Sequence, residues 1–357
     1  MKKVLSLLAM LTTATVSFAE RPANYPRSYD SVIEEARAER TVRVYANADA
    51  AELRPLIAAF EKAYPGVRVD YSDIGSTELF RRFVGESRSR QPSADIVWSS
   101  AMDLQVKLIN DGYAQAYASP EKPSLPASTV WKNMGYGVTA EPIGLVYNRK
   151  LVPPALVPHT HLALEELLTK RRKAFTGRVA MFDPLRSNVG YLYLTEDFAI
   201  TRDTADLLKA IAATRPLLMS STGDMLNAVA EGRQAIAYNV IGSYALERAR
   251  RDPRLGVVLP RDYTIVTSRI AFIPRDARHS NAAKLFLDFL LSRTGQTLLA
   301  QNSLWPVRGD LGGRRLPVAQ ARPIRVGPQL LVNLDHLKRQ RFLRDWRETL
   351  ATGAAVK

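Results

Sequence analysis

Short polar residues stand at four points of the chain where a predicted strand or loop leads into a predicted helix. They are Gly75-Ser76-Thr77, Ser99-Ser100, Arg186-Ser187-Asn188 and Ser220-Ser221-Thr222-Gly223. The unpaired N–H groups of a helix N-terminus attract phosphate or carboxylate, and short hydroxyl side chains add donors without blocking the approach. The same residue types are ordinary helix caps, so any one segment is equally well explained as a cap. Four such segments together favour the binding of a small anion.

Arg186 is the charged residue best suited to hold that anion. It lies in a loop rich in Pro, Ser, Asn and Gly, where a guanidinium could form two parallel hydrogen bonds to a phosphate. A plain surface arginine is the alternative, since the chain has 50 basic residues. Further candidates follow other predicted strands or begin helices: Asp49, Tyr191, Asn239 and Ser243. Asp49 would accept from a sugar hydroxyl or an amine, or cap a helix, and Tyr191 would donate to an anion or belong to the core.

The sequence contains no motif for covalent or metal chemistry beside these residues. It has no cysteine, no GxSxG nucleophile turn and no Walker A glycine loop. Its four histidines are scattered, and the pair in His159-Thr160-His161 is better interpreted as part of a solvated loop than as a metal site. We therefore predict a binding protein that needs no cofactor and no metal and is not an enzyme.

The first nineteen residues are typical of a secretory signal peptide. Lys2 and Lys3 precede a largely apolar run over 4–14, and Ser17-Phe18-Ala19 has small residues at its outer positions, as a signal peptidase requires. The run is about half of the roughly 20 residues that a membrane span needs. No cysteine follows that could carry a lipid anchor. This predicts a mature chain that begins near Glu20 and works in the periplasm.

The formal net charge of +15 bears on the choice of partner. Removing Lys2 and Lys3 leaves 48 basic residues against 35 acidic ones, or +13 for the mature chain. In a cytoplasmic protein such a charge would favour nucleic acid, but the signal peptide argues against that partner. Two interpretations remain, a basic surface without a specific role and the attraction of an anionic small ligand.

The elements that must position the polar residues alternate between strand and helix. Alternating or β-branched patterns predict strands at 41–45, 67–71, 95–98, 143–147, 179–183, 235–238, 257–259 and 264–273, and amphipathic stripes predict helices between them and over 333–352. Such alternation indicates βαβ units and parallel sheets, so the fold class is α/β.

Several segments stand in a recognisable order: VRVY at 42–45, PGVRVD at 65–70, ADIVW at 94–98, GLVYN at 144–148, EGRQAIAY at 231–238 and the stretch 274–296. In this order, behind a signal peptide, they resemble the family 1 extracellular solute-binding proteins, which are periplasmic receptors of ABC importers. The resemblance implies a two-lobed periplasmic-binding-protein fold (type II), with a mixed sheet in each lobe, a hinge between the lobes and the ligand in the cleft.

The resemblance also implies how the chain is divided. We expect a signal peptide at 1–19, a first lobe at 20–138, a second lobe at 139–262, a return to the first lobe at 263–305 and a C-terminal helical segment at 306–357 that packs on the second lobe. The implied partners are a small anionic ligand and a permease, or alternatively a sensor kinase, in the inner membrane. The receptor itself is expected to be a monomer.

Within the family, the chain is similar to the branch of receptors for ferric iron, hexose phosphates, phosphoglycerate and aminophosphonates. Ferric receptors of this branch use adjacent tyrosines as ligands, whereas Leu192 separates Tyr191 from Tyr193 here. This departure favours a phosphorylated metabolite and leaves a ferric receptor as the alternative. The sequence does not choose among a sugar phosphate, phosphoglycerate, a phosphonate and a carboxylate.

Overall fold

The computed structural model describes residues 21–302, 304–312, 316–317 and 319–355. The predicted signal peptide at 1–19 lies outside the described residues. The strands are β1 (Thr41–Ala46), β2 (Arg68–Asp73), β3 (Ile96–Ser99), β4 (Val130–Trp131), β5 (Gly135–Gly137), β6 (Glu141–Asn148), β7 (Val179–Phe182), β8 (Leu217–Met219), β9 (Ile236–Ile241), β10 (Leu255–Val258), β11 (Thr264–Thr267), β12 (Ile270–Phe272) and β13 (Ala321–Pro323).

The helices alternate with the strands over most of the chain. They are α1 (Tyr29–Glu39), α2 (Ala50–Ala63), α3 (Ser76–Arg88), α4 (Met102–Asn110), α5 (His161–Lys170), α6 (Arg172–Phe175), α7 (Asn188–Ile200), α8 (Thr204–Ala213), α9 (Thr222–Ala230), α10 (Gly242–Arg251), α11 (Ser280–Leu291), α12 (Arg293–Gln301) and α13 (His336–Ala355). Short 3₁₀ helices include Pro328–Leu334. None of the helices in the described part of the chain combines the length and apolar composition needed to cross a membrane.

Within the described ranges, the strands form two mixed sheets, and each sheet defines a lobe. The first lobe has the order β2-β1-β3-β12-β5-β4, and the second has the order β13-β11-β6-β9-β7-β8, with β10 also paired to β6. Strands β1 to β3 are parallel, as are β7 to β9, whereas β12 runs antiparallel to β3 and β5. The predicted α/β class with a mixed sheet in each lobe is confirmed.

The chain crosses between the lobes at 138–140, after β5, and returns at 268–269, between β11 and β12. The single strand predicted over 264–273 is therefore two strands in different sheets, and the return lies five residues beyond the predicted start at 263. The apolar run looks continuous in the sequence, but Ser268 and Arg269 inside it occupy the hinge. Strand composition does not reveal which sheet a strand joins, because the partners are distant in the chain.

The C-terminal part of the chain contacts both lobes. Pro306 bridges to Thr139, and Val307 packs in the core of the first lobe, so the segment predicted as 306–357 begins on the first lobe. Further on, β13 pairs with β11 and α13 packs on α8, both in the second lobe. Between them, the 3₁₀ helix Pro328–Leu334 packs on α4 of the first lobe.

Candidate functional site

A cleft of about 610 Å³ lies between the two lobes. Its first-lobe wall is formed by Asn47, Asp49, Glu52, Asp73, Gly75, Ser76 and Ser100, and its second-lobe wall by Phe182, Val189, Ser220, Ser221, Thr222, Gly223, Leu226, Ile241, Tyr244, Glu247, Arg248 and Arg251, with Arg269 from the hinge. Polar groups thus face each other across the opening between the lobes.

The first-lobe wall consists of residues that follow parallel strands. Asn47 comes directly after β1, Asp73 ends β2 and Ser100 follows β3, so their side chains meet at the carboxyl edge of the sheet. The Asn47 amide donates to the Ser100 hydroxyl at 2.7 Å, and the Ser100 N–H donates back to Asn47 Oδ1 at 3.0 Å. Together with Asp49 and Glu52, Asp73 gives this wall three carboxylates, which accept hydrogen bonds from hydroxyl or ammonium groups.

The second-lobe wall concentrates groups that attract anions. Ser221 caps α9, since its hydroxyl accepts from the Asp224 N–H at 3.1 Å and donates to Asp224 Oδ2 at 2.7 Å. The start of α9 lines the cleft, as do Arg248 and Arg251 from the end of α10. A helix N-terminus carries N–H groups and a partial positive charge that attract anions. Arg251 pairs with Glu247 at 2.8 Å, whereas Arg248 forms no salt bridge with any described residue.

Arg269 lies at the base of the cleft, between the two lobes. Its side chain is 1 % exposed and pairs with the fully buried Glu141 at 2.9 Å. It also donates to the Asn47 carbonyl at 2.7 Å and to the Tyr244 hydroxyl at 3.0 Å. Burial acts to lower the pKa of Arg269, but the Glu141 carboxylate and the nearby Tyr244 and Tyr193 together more than offset it, so the pKa lies above its ordinary value. This guanidinium is thus a fixed positive charge that connects both lobes.

Four of the twelve residues predicted from the sequence to bind ligand line the cleft: Asp49, Ser76, Ser100 and Ser221. Asp49 also caps α2, because its Oδ1 accepts from the Ala51 N–H at 2.8 Å. A cap and a ligand contact are compatible at these positions, since each oxygen keeps a second lone pair.

Four predicted residues lie outside the cleft lining, at helix starts or in the hinge network. Ser99 is buried and accepts from the Ala101 N–H at 3.2 Å. Ser187 caps α7, and Thr77 lies half-buried in the first turn of α3. Ser243 donates to Glu141 Oε2 at 2.9 Å and so belongs to the hinge network around Arg269.

The other four predicted residues also lie outside the cleft lining. The Asn188 amide donates to both carboxylate oxygens of Asp103, at 2.7 and 2.9 Å, across the contact between the lobes. The Asn239 amide donates to the buried Asp197 at 2.6 Å. The Tyr191 hydroxyl donates to the Asn333 carbonyl at 2.5 Å, and Arg186 is an exposed residue whose side chain does not reach the cleft wall.

The cleft residues not predicted from the sequence include Asn47, Asp73, Arg248, Arg251 and Arg269. Asn47 and Asp73 carry a readable signal, since each is a polar residue at the end of a predicted parallel strand. Arg248 and Arg251 are three apart on a predicted helix and therefore share one face, although nothing local shows that this face meets the cleft. Arg269 lies inside the largely apolar segment 264–273, which predicts a buried strand rather than a binding residue.

The tyrosines that raised the question of iron do not face the cleft. Tyr193 is fully buried, and burial raises the pKa of Tyr191 to about 12 while the Arg339 guanidinium acts in the opposite direction. Arg339 lies 4.2 Å from the centre of the Tyr191 ring. Within the described residues, no group of three or more His, Asp or Glu side chains could hold a metal ion.

A family model described as bacterial extracellular solute-binding protein matches residues 42–302. The chain belongs to this family. The family resemblance predicted from the segment order is thereby confirmed. This solute-binding protein is, like the rest of its family, a binding protein and not an enzyme.

Solved structures show the same relationship. The substrate-binding protein of an ABC transporter from Agrobacterium tumefaciens is 36 % identical, with a TM-score of 0.83 over 87 % of this chain and 94 % of that chain. The periplasmic binding protein AfuA from Actinobacillus pleuropneumoniae, with fructose-6-phosphate bound, is 19 % identical, with a TM-score of 0.71 over 87 % and 98 %. Iron-bound HitA from Pseudomonas aeruginosa is 19 % identical, with a TM-score of 0.68 over 87 % and 99 %. At 19 % identity the last two show the fold alone.

Proposed function

We propose that this solute-binding protein is the periplasmic receptor of an ABC importer and captures a small organic anion, in the first place a phosphate ester. The observation that carries the proposal is the second-lobe wall, where the start of α9, Arg248 and Arg251 line the same cleft. Free N–H groups, short hydroxyl side chains and guanidinium groups are the donors that phosphate and carboxylate oxygens need.

The high net charge of the chain does not by itself support this ligand. The cleft is lined by the carboxylates of Asp49, Glu52, Asp73 and Glu247 and by three arginines, so its formal lining charge is −1. Its charges are separated, with three of the carboxylates on the first lobe and two of the arginines on the second. A ligand that fits both walls has an anionic group at one end and hydroxyl or amine donors at the other, as a sugar phosphate or an aminophosphonate has.

A ligand of this kind would favour a closed cleft, because only the closed form contacts both walls at once. A ligand that binds the open and closed forms equally would shift nothing. The membrane partner, a permease in this proposal, would recognise the closed arrangement of the lobes. Small-angle scattering should therefore give a smaller radius of gyration with saturating ligand, and an unchanged profile would contradict the closing mechanism.

The ferric alternative receives less support from the structure. Tyr191 donates to a backbone carbonyl and Tyr193 is buried in the core, so neither presents a phenolate oxygen to the cleft. The second-lobe wall also carries the guanidinium groups of Arg248 and Arg251, whose positive charges repel a ferric ion. Visible colour on adding ferric salt to the purified protein would revive that alternative.

The test is a thermal-shift screen of sugar phosphates, phosphoglycerate, phosphonates, dicarboxylates and neutral sugars, followed by titration of the best ligand. A specific ligand raises the melting temperature by mass action. Replacing Arg248 and Arg251 together by Gln removes two charge-assisted hydrogen bonds and should weaken binding roughly 100-fold. The matched control is Arg250→Gln, on the same helix but outside the cleft lining, which should stay within about twofold.

Two results would overturn the proposal. One is a neutral sugar that binds tightly while every phosphate ester and carboxylate fails. The other is an equal loss of affinity in the Arg250 control, which would show that the effect reports overall charge and not a site on the second-lobe wall.

A further inference from the structure

A second polar cavity, of about 550 Å³, lies at the opposite end of the first lobe from the cleft. Ala94 lines it just before β3 begins, whereas β3 ends at the cleft beside Ser100. Pro274 lines it after β12 ends, whereas the other end of β12 adjoins Arg269 in the hinge. A strand of four residues rises about 13 Å, so the length of the sheet separates this cavity from the cleft.

Four arginines line this cavity, which we call the arginine pocket: Arg88, Arg90, Arg275 and Arg278. Asp276 is the one carboxylate among its described lining residues and pairs with Arg275 at 3.4 Å. The formal lining charge is therefore +3, against −1 for the cleft between the lobes. The described lining of this pocket is thus cationic, whereas that of the cleft is not.

Most of this charge is not compensated within the protein. Arg88, Arg90 and Arg278 form no salt bridge with any residue in the described ranges. All four arginines are exposed, so apart from the Asp276 carboxylate, water and counterions offset their mutual repulsion. A bound anion would replace that weak screening by direct charge-assisted hydrogen bonds.

The backbone that carries the arginines is held in place. The Arg275 N–H donates to the Tyr113 carbonyl at 2.7 Å, and the Arg90 N–H donates to the Ser87 carbonyl at 3.3 Å in a turn where Arg90 has a φ of +54°. The Phe83 and Tyr113 rings, whose centroids are 5.7 Å apart, pack beneath the pocket. The guanidinium groups therefore extend from a fixed frame, which lowers the ordering cost of binding.

We propose that the arginine pocket is a second anion-binding site, for a ligand that presents two or more phosphate groups. Each guanidinium can bind one phosphate through two parallel hydrogen bonds, and four of them exceed what a single phosphate can use. The site is separate from the interlobe cleft, so its occupation does not require the transported solute. Its phosphates could come from a free diphosphate or from the headgroups of a membrane surface.

The test uses inorganic pyrophosphate, titrated calorimetrically into the full mature chain at low ionic strength, where exposed charges are least screened. Arg88→Gln with Arg278→Gln should weaken binding at least about tenfold. The matched control, Arg202→Gln with Arg341→Gln, removes the same charge at two exposed positions on the second lobe and should stay within about twofold. The cleft double variant, Arg248→Gln with Arg251→Gln, should bind pyrophosphate at the arginine pocket with unchanged affinity.

Vesicles of phosphatidylglycerol, with phosphatidylcholine as control, distinguish the two sources. One outcome is that the wild type sediments with anionic vesicles, loses this in the Arg88/Arg278 double variant and shows no measurable binding of pyrophosphate. That combination would assign the phosphates to a membrane surface. An equal loss of binding in the Arg202/Arg341 control would overturn the proposed site, because it would show that binding depends on the overall charge of the protein. A loss confined to the cleft variant, or no binding of either probe to the wild type, would overturn it as well.

Discussion

The buried pair of Arg269 and Glu141 allows a prediction whose size follows from the structure. Replacing Arg269 by Met removes the only described salt bridge of Glu141 and leaves that carboxylate, which is 0 % exposed, with the hydroxyls of Thr139 and Ser243 as donors. Breaking a buried ion pair by removing one partner costs about 3–5 kcal/mol, because the remaining charge stays desolvated. We expect a loss of that size in the free energy of unfolding.

Adding Glu141→Gln to Arg269→Met should recover part of this loss. The second substitution removes the uncompensated charge but keeps a side chain that can hydrogen-bond to both hydroxyls, and about 1–3 kcal/mol should return. The exposed pair of Lys209 and Asp206, at 69 % and 70 % exposure, is the matched control. There Lys209→Met should leave the free energy of unfolding nearly unchanged.

The assay is urea unfolding followed by tryptophan fluorescence and circular dichroism, on the two single variants, the double variant and the control. The reasoning is refuted if Arg269→Met costs no more than Lys209→Met. It is also refuted if the double variant is less stable than Arg269→Met alone, because the two losses would then add instead of compensating.

Further predictions concern Arg186, the interlobe contact of Asp103 and the packing of α7 on β7 at Gly190. Arg186→Ala should change the affinity for the cleft ligand by at most about twofold, and a tenfold loss in titration calorimetry would return this residue to the site. Burial raises the pKa of Asp103 from 3.8 to about 6, so the free energy of unfolding should fall as the pH rises between these values. Asp103→Asn should flatten that part of the pH profile, and an unchanged slope would exclude Asp103 as its source. Gly190→Ala would place a methyl group 2.4 Å from Phe182 Cβ and should destabilise the protein by about 1–3 kcal/mol in thermal or urea unfolding. Gly85→Ala, in a helix with open space around it, should instead be neutral or slightly stabilising, and equal losses in the two variants would contradict the packing explanation.

The sequence predicts well whatever depends on local pattern. The strand–helix alternation predicts the α/β class, and the family resemblance predicts the two lobes. The rule that ligands lie at the carboxyl ends of parallel strands points to Ser76, Ser100 and Ser221, which line the cleft. These residues are found because a strand end and a helix start are both visible in a few neighbouring residues. No knowledge of distant segments is needed for them.

The sequence does not predict the ligand-binding residues correctly where a side chain forms a hydrogen bond to a residue far away in the chain. Asn239 is bonded to Asp197, 42 residues away, and Tyr191 to Asn333, 142 residues away. Arg186 points outward because its N–H and that of Ser187 both bond to the Asp183 carbonyl in a tight turn. Polar residue type alone does not distinguish such structural roles from ligand contacts, since the chemistry of the hydrogen bond is the same.

The position of β12 has a consequence for the order in which the protein can fold. In the described sheet, β12 joins β3 to β5. Trp98 of β3 and Ala271 of β12 pair with each other and are 173 residues apart in the chain (271 − 98). A chain emerging from the ribosome therefore holds β1 to β3 and the β4–β5 hairpin for a long time without the strand that unites them. Such long-range pairing slows folding. The unpaired edges of β3 and β5 would be exposed meanwhile, so a truncated chain ending at 267 should aggregate where the full chain folds.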